Sequence, residues 1–233
     1  MIKRVFAIVL VAGFAWIFYL AVTGWQPKTE LSGVAYDYVK QGADELGAMN
    51  LVTAIVVTYR GLDTLGEVTV LFLASTGVAV LLRRKEDENV AVPEKKRRES
   101  SEFIQTGTGL LVPVIVMFGA YIFLNGHLSP GGGFQGGAVV ASAVLLMFLA
   151  KPDHYLNHGL LNIIESFSGF GYVLIGILGI FLAGGFLDNR ILPLGDFGKL
   201  LSAGAIPVIY TLIGLKVGTE LAGILENLKG LKS

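Results

Sequence analysis

Long apolar stretches separated by short polar segments dominate the hydrophobic pattern of this chain. A helix that rises about 1.5 Å per residue can cross about 30 Å of hydrocarbon within each of them. The pattern therefore predicts an all-α, polytopic membrane protein with about six transmembrane helices. These lie near residues 5–23, 62–82, 104–125, 136–150, 160–186 and 200–225.

The first apolar stretch follows Lys3 and Arg4, as the core of a secretory signal would. It lacks a convincing small-residue cleavage site, so we interpret it as a retained helix. Composition agrees with a membrane protein, because 53% of the residues are hydrophobic and 15% are charged. Water-soluble domains are rarely so apolar. We expect a multi-pass protein of the cell membrane, surrounded by the lipid bilayer.

Basic residues favour one orientation of the six spans. With the amino terminus inside, twelve of the eighteen Lys and Arg residues lie on the inner side and four on the outer side. Positive charge close to spans is retained in the cytoplasm, so both termini are predicted to be cytoplasmic. The basic residues lie close to the predicted membrane surface and leave no separate basic stripe, which argues against nucleic acid as a partner.

A charged segment at residues 83–101 predicts a cytoplasmic linker between two modules. The chain would then consist of a two-span module at 1–82 and a four-span module at 102–233. Within the long outer loop, residues 34–46 suggest a short surface helix. The apolar residues 51–59 continue that loop into the second span.

Ionisable side chains inside a span cost about 2.5–3.5 kcal/mol each on insertion scales, so they call for a partner or a function. Arg60, Asp63 and Glu67 are spaced i, i+3 and i+7 at the outer mouth of the second span, and Thr64 is placed on the same face. One arginine neutralises one carboxylate. Glu67 is therefore expected to be protonated or to be paired by another chain. For Arg60 and Asp63, snorkelling to lipid head groups is the alternative.

A second polar cluster is predicted on the sixth span, where Lys216 and Glu220 are one turn apart. Gly214 and Gly218 bracket the lysine in a spacing that lets a neighbouring helix approach closely, so the lysine is expected to point into protein. Glu165 lies at a similar depth on the fifth span. Lys216 could form an ion pair with Glu165 or with Glu220, and the cluster could conduct ions or lock the helices together.

Catalytic and metal-binding chemistry find no support in the sequence. The chain has no cysteine, which excludes thiolate-held clusters, disulfides and a cysteine nucleophile. The three histidines have no paired metal-ligand spacing, and no nucleophile–base set occurs. We expect no catalytic residue, no metal and no cofactor in this chain.

The residues between the third and fourth spans form the most specific motif, because glycine and proline recur at fixed offsets in a tight backbone with few Cβ atoms. The motif comprises His127, Leu128, Ser129, Pro130, Gly131, Gly132, Gly133, Phe134, Gln135, Gly136 and Gly137. Together with Ile-Gly-Leu-Lys-Val-Gly-Thr-Glu-Leu at 213–221, it resembles the B subunit of multisubunit Mrp-type sodium/proton antiporters (the MnhB/MrpB family).

Before the linker, Tyr-Arg-Gly-Leu-Asp-Thr-Leu-Gly-Glu-Val-Thr-Val-Leu-Phe at 59–72 resembles the E subunit of archaeal membrane-bound hydrogenase. That subunit is similar to the carboxy-terminal part of the large Mrp A subunit. The chain therefore resembles a fusion of the two subunits.

The resemblance carries over to single positions of this sequence. In the segment 59–72 it covers Asp63, Gly66 and Glu67, with Glu67 as the functional acid. In the glycine-rich motif it covers Pro130 and Phe134, and in the segment 213–221 it covers Lys216.

These resemblances imply an archaeal complex that couples ferredoxin oxidation to hydrogen evolution or to reduction of sulfane sulfur. Our leading hypothesis is a non-catalytic membrane subunit in which Glu67 helps to form a path for Na⁺ or H⁺ with other membrane subunits. The alternative is a purely structural scaffold subunit of that complex. A self-contained transporter is disfavoured because no inverted repeat is evident.

Overall fold

The computed structural model describes residues 2–25, 30–82 and 100–230, and these residues form helices and loops without a strand. The elements in chain order are α1 (Ile2–Gly24), α2 (Val34–Leu46), α3 (Leu51–Ala54), a π-helical turn (Ile55–Tyr59), α4 (Gly61–Leu82), α5 (Glu102–Leu124), α6 (Gly133–Ala150), α7 (His158–Leu182), a 3-10 turn (Asn189–Ile191) and α8 (Ile206–Gly230). Most of the predicted linker, 83–99, lies outside the described residues.

Six of these helices are long and apolar enough to cross a membrane, namely α1, α4, α5, α6, α7 and α8. The predicted all-α class and the predicted number of spans are therefore confirmed for the described residues. The side of the membrane on which the termini lie stays a prediction, and so does the division into modules. The chain forms two compact units, Met1–Asp37 and Tyr38–Ser233.

In the first unit, α1 is apolar on all sides, as expected for a helix that lipid or protein surrounds in the membrane. Its hydroxyl-bearing residue Thr23 donates a hydrogen bond to the carbonyl of Tyr19 at 2.8 Å. That contact satisfies the side chain within the helix itself.

Helix α8 lies at the centre of the second unit, where it packs against α4, α5, α6 and α7. Ile209, Ile213 and Val217 on α8 are almost completely buried. The outward faces of α5 and α7 expose large apolar side chains such as Leu110 and Phe167. This distribution is typical of a helix bundle whose rim contacts lipid.

Glycines let α5, α6 and α8 approach closely. A Cβ added to Gly136 would lie 2.6 Å from the carbonyl oxygen of Gly119, and one added to Gly137 would lie 2.7 Å from the Cβ of Val217. Neither contact is compatible with a side chain larger than hydrogen. The repeated glycines of the motif are therefore packing residues at a helix crossing.

Polar caps define several helix starts. Asn50, Ser101 and Asn157 each accept a hydrogen bond from the backbone N–H three residues later, at the starts of α3, α5 and α7. Such caps satisfy backbone donors that have no partner within the helix.

Two of the predicted spans have different bounds in the structure. The fifth span, α7, ends at Leu182, before the predicted residue 186. The sixth span, α8, begins at Ile206, after the predicted residue 200. The backbone takes positive φ angles at Leu187 (61°), Ala203 (63°) and Gly204 (58°). After Leu182 the backbone leaves the helical region at Ala183, with φ −132° and ψ −142°. Before Ile206 the left-handed residues Ala203 and Gly204 interrupt any helix, so both loops remain outside the spans in spite of their apolar composition.

Candidate functional site

The polar stripe on α4 begins where the π-helical turn ends. Arg60 Nε and Asp63 Oδ2 form a salt bridge of 2.7 Å, and both side chains are about half exposed. Glu67 is exposed one turn further into α4, about 9 Å from the helix start at 1.5 Å per residue. It has no salt-bridge partner among the described residues. Arg60 therefore neutralises Asp63 and leaves Glu67 without a counter-charge among the residues that the structure describes.

Thr64, which the spacing predicts on the same face as these charges, has a different environment. Its side chain is buried, and Oγ1 donates to the carbonyl of Val56 at 2.6 Å. A π-helical turn shifts the backbone bonds by one residue, which leaves carbonyls for such a side chain to bind. The exposed positions of the stripe are thus Arg60, Asp63 and Glu67, and the neighbouring Gly66 is exposed as well.

Lys216 forms the centre of the second cluster. Its Nζ lies 2.6 Å from Oε1 of Glu220 and 3.7 Å from Oε1 of Glu165. Both ion pairs that the sequence left open are therefore present, and the pair with Glu220 is shorter. Nζ also lies 5.0 Å from the centre of the Phe72 ring, which favours a cation at that position. Glu220 is 2% exposed and Lys216 is 9% exposed.

The lysine does not point to the side on which the bracketing glycines pack. Gly214 faces Phe123 of α5, where a Cβ would lie 2.4 Å from the ring, and Gly218 faces Gly137 of α6. Lys216 instead extends over Gly169 of α7. The two sides of α8 thus have different roles, close packing on one and an ion-pair cluster on the other.

A cavity of about 450 Å³ opens beside this cluster, between the last turns of α4, the first turns of α7 and the last turns of α8. Glu165, Glu220 and Thr219 line its inner part together with Ser75 and Thr76 of α4. Oε2 of Glu220 has no hydrogen-bond partner among the described residues. The sequence alone does not predict this cavity, because its lining residues come from three helices that are separated along the chain.

At the mouth of the cavity, two titratable side chains lie close together. His158 Nε2 lies 3.6 Å from Oε2 of Glu226, and Oε1 of Glu226 accepts a hydrogen bond from the backbone N–H of Leu156 at 3.2 Å. Asn162 and Asn227 complete the polar rim. No spacing rule connects His158 with Glu226, so the sequence carried no signal for this contact.

The glycine-rich motif begins with a buried histidine. His127 is fully buried, and its Nε2 lies 3.4 Å from the carbonyl oxygen of Lys199. Burial lowers the pKa of the His127 ring, so the neutral form is favoured. The neutral ring is enclosed by the loop, and the assignment of His127 to the structural positions of the motif stays a prediction.

Three side chains from outside the motif fix the turn that contains His127. Asn50 Nδ2 donates to the carbonyls of Gly126 and Ser129, both at 2.9 Å, and its backbone N–H donates to the carbonyl of His127. Thr53 Oγ1 donates to the same Gly126 carbonyl at 2.7 Å and accepts from the hydroxyl of Tyr210 at 3.0 Å.

The remaining motif residues surround the start of α6. Gly131 has a φ of 156°, and a Cβ on Gly133 would lie 2.5 Å from Cγ2 of Ile213. Phe134 packs partly buried against the apolar core, whereas Pro130 and Gln135 are exposed. The motif thus joins α5, α6 and α8 by close backbone contacts and leaves two of its side chains available to neighbours.

Another charged group, at the α7–α8 loop, was not singled out by the sequence. Asp188 accepts hydrogen bonds from the guanidinium of Arg190, and this contact lowers the pKa of Asp188 from 3.8 to about 2. Arg190 also lies 3.8 Å from Glu45, and Glu45 accepts a hydrogen bond from Tyr59 at 2.5 Å. These contacts connect the loop with α2 and the π-helical turn.

Comparison with known proteins assigns both halves of the chain. The family model described as a domain related to the MnhB subunit of Na⁺/H⁺ antiporters matches residues 103–223. A second family model, described as the E subunit of MBH, matches residues 2–97. Both resemblances drawn from the motifs are therefore confirmed, and they occur in one chain.

The similarity to chains of two solved structures covers most of this chain. A chain in the structure of the membrane-bound sulfane sulfur reductase, an archaeal respiratory membrane complex, is 44% identical, with a TM-score of 0.79 over 98% of both chains. A chain of the Mrp complex from Dietzia sp. DQ12-45-1b is 25% identical, with a TM-score of 0.72 over 95% of this chain and 25% of that one.

An uncharacterized protein of Methanocaldococcus jannaschii is 32% identical over 75% of this chain and 74% of its own length. The predicted location in a membrane, with multiple spans, is confirmed by these relatives and by the six apolar helices. The chain belongs to the family related to the MnhB subunit of Na⁺/H⁺ antiporters, and its residues 2–97 match the family model described as the E subunit of MBH.

Proposed function

We propose that this chain is a non-catalytic subunit of a sodium/proton-translocating module within an archaeal, ferredoxin-driven energy-converting complex. Two findings support this function. The chain is a membrane subunit of an Mrp-like module by family, and it matches a chain of the sulfane sulfur reductase complex over nearly its whole length. Other membrane subunits are then its partners, and Na⁺ and H⁺ are the transported ions.

The exposure of Glu67 carries the proposal. An ionised carboxylate that faces acyl chains at this depth would be costly, and Arg60 already pairs with Asp63. Beside Glu67, Gly66 offers open space, since a Cβ there would meet no described atom within 4 Å. A transmembrane helix of another subunit can therefore approach Glu67 closely and enclose it in a shared ion path.

Replacement of Glu67 by Gln in the intact complex tests this role. The substitution keeps the size of the side chain and removes its charge, so we expect normal assembly and a loss of most sodium-dependent proton exchange in vesicles. Glu102→Gln at the start of α5 is the matched control, because Glu102 is exposed in the first turn of its helix. Unchanged exchange by Glu67→Gln complexes would remove the acid from the path.

A scaffold subunit is the second candidate function, and the buried Lys216–Glu220 pair favours it. Removing one partner of a buried ion pair is strongly destabilising, so such pairs can fix helix packing. In a pure scaffold, Glu67→Gln or Lys216→Ala would reduce the yield of complex on a native gel before it reduced transport per complex.

A further inference from the structure

We propose that the cavity between α4, α7 and α8 is a water-filled access path through which Glu165 and Glu220 exchange a proton with the solution at that end of the bundle. The proposal rests on the proposed function and deepens it, because it assigns the second polar cluster to the proton branch of the exchange. It does not require Glu67 to carry the proton.

The charge of the cluster is the first argument. Two carboxylates, Glu165 and Glu220, share one ammonium group, that of Lys216. With all three ionised, the group carries one negative charge beside apolar protein. A buried charge without compensation is unfavourable, and uptake of one proton makes the group neutral. The cluster thus has room for one exchangeable proton.

The position of Glu220 is the second argument. Its carboxylate is 2% exposed and lines the cavity, and Oε2 has no hydrogen-bond partner among the described residues. Water in the cavity can supply that partner, because the lining includes the hydroxyl residues Ser75, Thr76 and Thr219. A polar cavity of about 450 Å³ is roomy enough for several waters.

The lysine selects a proton over a metal cation. Its Nζ lies 2.6 Å from one carboxylate and 3.7 Å from the other, so an ammonium already occupies the position that a bound Na⁺ would take. A second cation next to it would be repelled. A proton on one carboxylate leaves the ammonium paired with the other.

The two distances also indicate how the proton is exchanged. When Glu220 takes up the proton, its attraction for Lys216 falls and the ammonium can move toward Glu165. When Glu165 takes up the proton, the present short pair with Glu220 is kept. Every other described titratable group that faces the cavity is at its mouth, where His158 lies close to Glu226. When the carboxylate takes up the proton, an O–H bond of a hydronium ion in the cavity breaks as the carboxyl O–H bond forms, and the reverse step returns the proton to water.

Cysteine accessibility tests the access path, since the native chain contains no cysteine. Ser75 lines the cavity and its neighbour Ala74 is exposed outside it, so the two positions differ in environment at nearly the same depth. In the reconstituted complex, a membrane-impermeant thiol reagent added on the His158 side should modify Ser75→Cys at least about tenfold faster than Ala74→Cys, because the thiolate forms in water. Equal, slow modification of both would overturn the proposal.

Infrared difference spectroscopy of the full chain in lipid tests the proton itself. A pH change should produce a protonated-carboxyl band that is lost or shifted in Glu220→Gln and in Glu165→Gln but kept in Glu102→Gln. If Glu220→Gln fails to fold, Glu165→Gln serves alone, because its side chain is 28% exposed. An unchanged band in the folded variants would overturn the proton site, and displacement of the band by Na⁺ at constant pH would replace it with a metal site.

These measurements separate this proposal from the proposed function. Reagent access and carboxyl protonation are read without transport, so they can fail while sodium-dependent proton exchange still depends on Glu67. They can equally succeed if Glu67→Gln has no effect.

Discussion

The backbone N–H of Asn50 donates to the carbonyl of His127 at 3.0 Å, and thereby joins the start of α3 to the glycine-rich motif. The side chain of the same residue donates to carbonyls on both sides of the histidine. Asn50 belongs to the region matched by the hydrogenase-type family model and His127 to the region matched by the MnhB-related model. These hydrogen bonds therefore connect the two regions that the family models match.

Asn50→Ala should destabilise the chain, because it removes the cap of α3 and two side-chain hydrogen bonds to the turn. The carbonyl of Ser129 loses its side-chain donor, whereas that of Gly126 keeps the hydrogen bond from Thr53. The two lost hydrogen bonds and the lost cap together are expected to cost about 2–4 kcal/mol. Thermal unfolding of the purified full chain in detergent measures the loss. Asn125→Ala is the control, because Asn125 donates to the carbonyl of Tyr121 within one turn at the end of its own helix. Equal melting temperatures of the two variants would contradict the role of Asn50.

Glycines of two kinds should respond differently to substitution. Gly66→Leu should leave the melting temperature of the isolated chain unchanged, because a Cβ at this position meets no described atom within 4 Å. In the cell it should lower the yield of the assembled complex, since a neighbouring helix is proposed to pack there. Complex yield is measured on the assembled complex by native gel, and chain stability is measured on the isolated chain by thermal unfolding.

Gly137→Ala should have the opposite effect. Its Cβ would lie 2.7 Å from Val217 and 2.8 Å from the carbonyl of Gly214, so α6 must move away from α8. Overpacking of this kind costs about 1–3 kcal/mol. A stable Gly137→Ala chain, or an assembled Gly66→Leu complex in normal yield, would contradict the division of the glycines into packing and docking positions.

The six spans could be predicted from the sequence, because the length of an apolar run is set by the thickness of the bilayer. Their ends could not always be predicted. The apolar residues near Ala203 read as part of the last span, yet the positive φ at Ala203 and Gly204 is imposed by tertiary contacts, including the hydrogen bond from the backbone of Ala205 to Asn189. Local hydrophobicity contains no information about such contacts.

The candidate site could also be predicted only in part from the sequence. Spacing on one helix placed Glu220 beside Lys216, because residues one turn apart share a face. It could not show that Lys216 extends toward α7 while the bracketing glycines pack against α5 and α6. The cavity and its pair His158 and Glu226 depend on which helices are neighbours, and that is decided by packing across the whole bundle.

Stability should fall in acid because of Asp188. Its pKa is about 2 in the folded chain, against an ordinary value of 3.8, because Arg190 stabilises the carboxylate. Between these values the unfolded chain binds a proton that the folded chain does not, so the contribution of Asp188 is complete above about pH 4 and is lost as the pH falls through 2. The loss is about 2 kcal/mol at most.

Unfolding of the full chain in detergent at stepped pH measures this slope, which Asp188→Asn should abolish. Asp196→Asn is the control, since Asp196 and Lys199 form a pair in which both side chains are 73% exposed. Exposed pairs contribute little, so this variant should keep the wild-type slope. A wild-type slope in Asp188→Asn would assign the acid sensitivity to other groups.

Lys216 and Glu220 permit a test that separates conduction from locking. Lys216→Met removes the ammonium 2.6 Å from a carboxylate that is 2% exposed, and should destabilise the chain by about 3–5 kcal/mol. The double variant Lys216→Met with Glu220→Gln removes both charges, so stability and complex yield should largely return. Sodium-dependent proton exchange per complex should stay low, because neither group can then take part in proton transfer. Recovery of exchange together with yield would show that the pair serves packing alone.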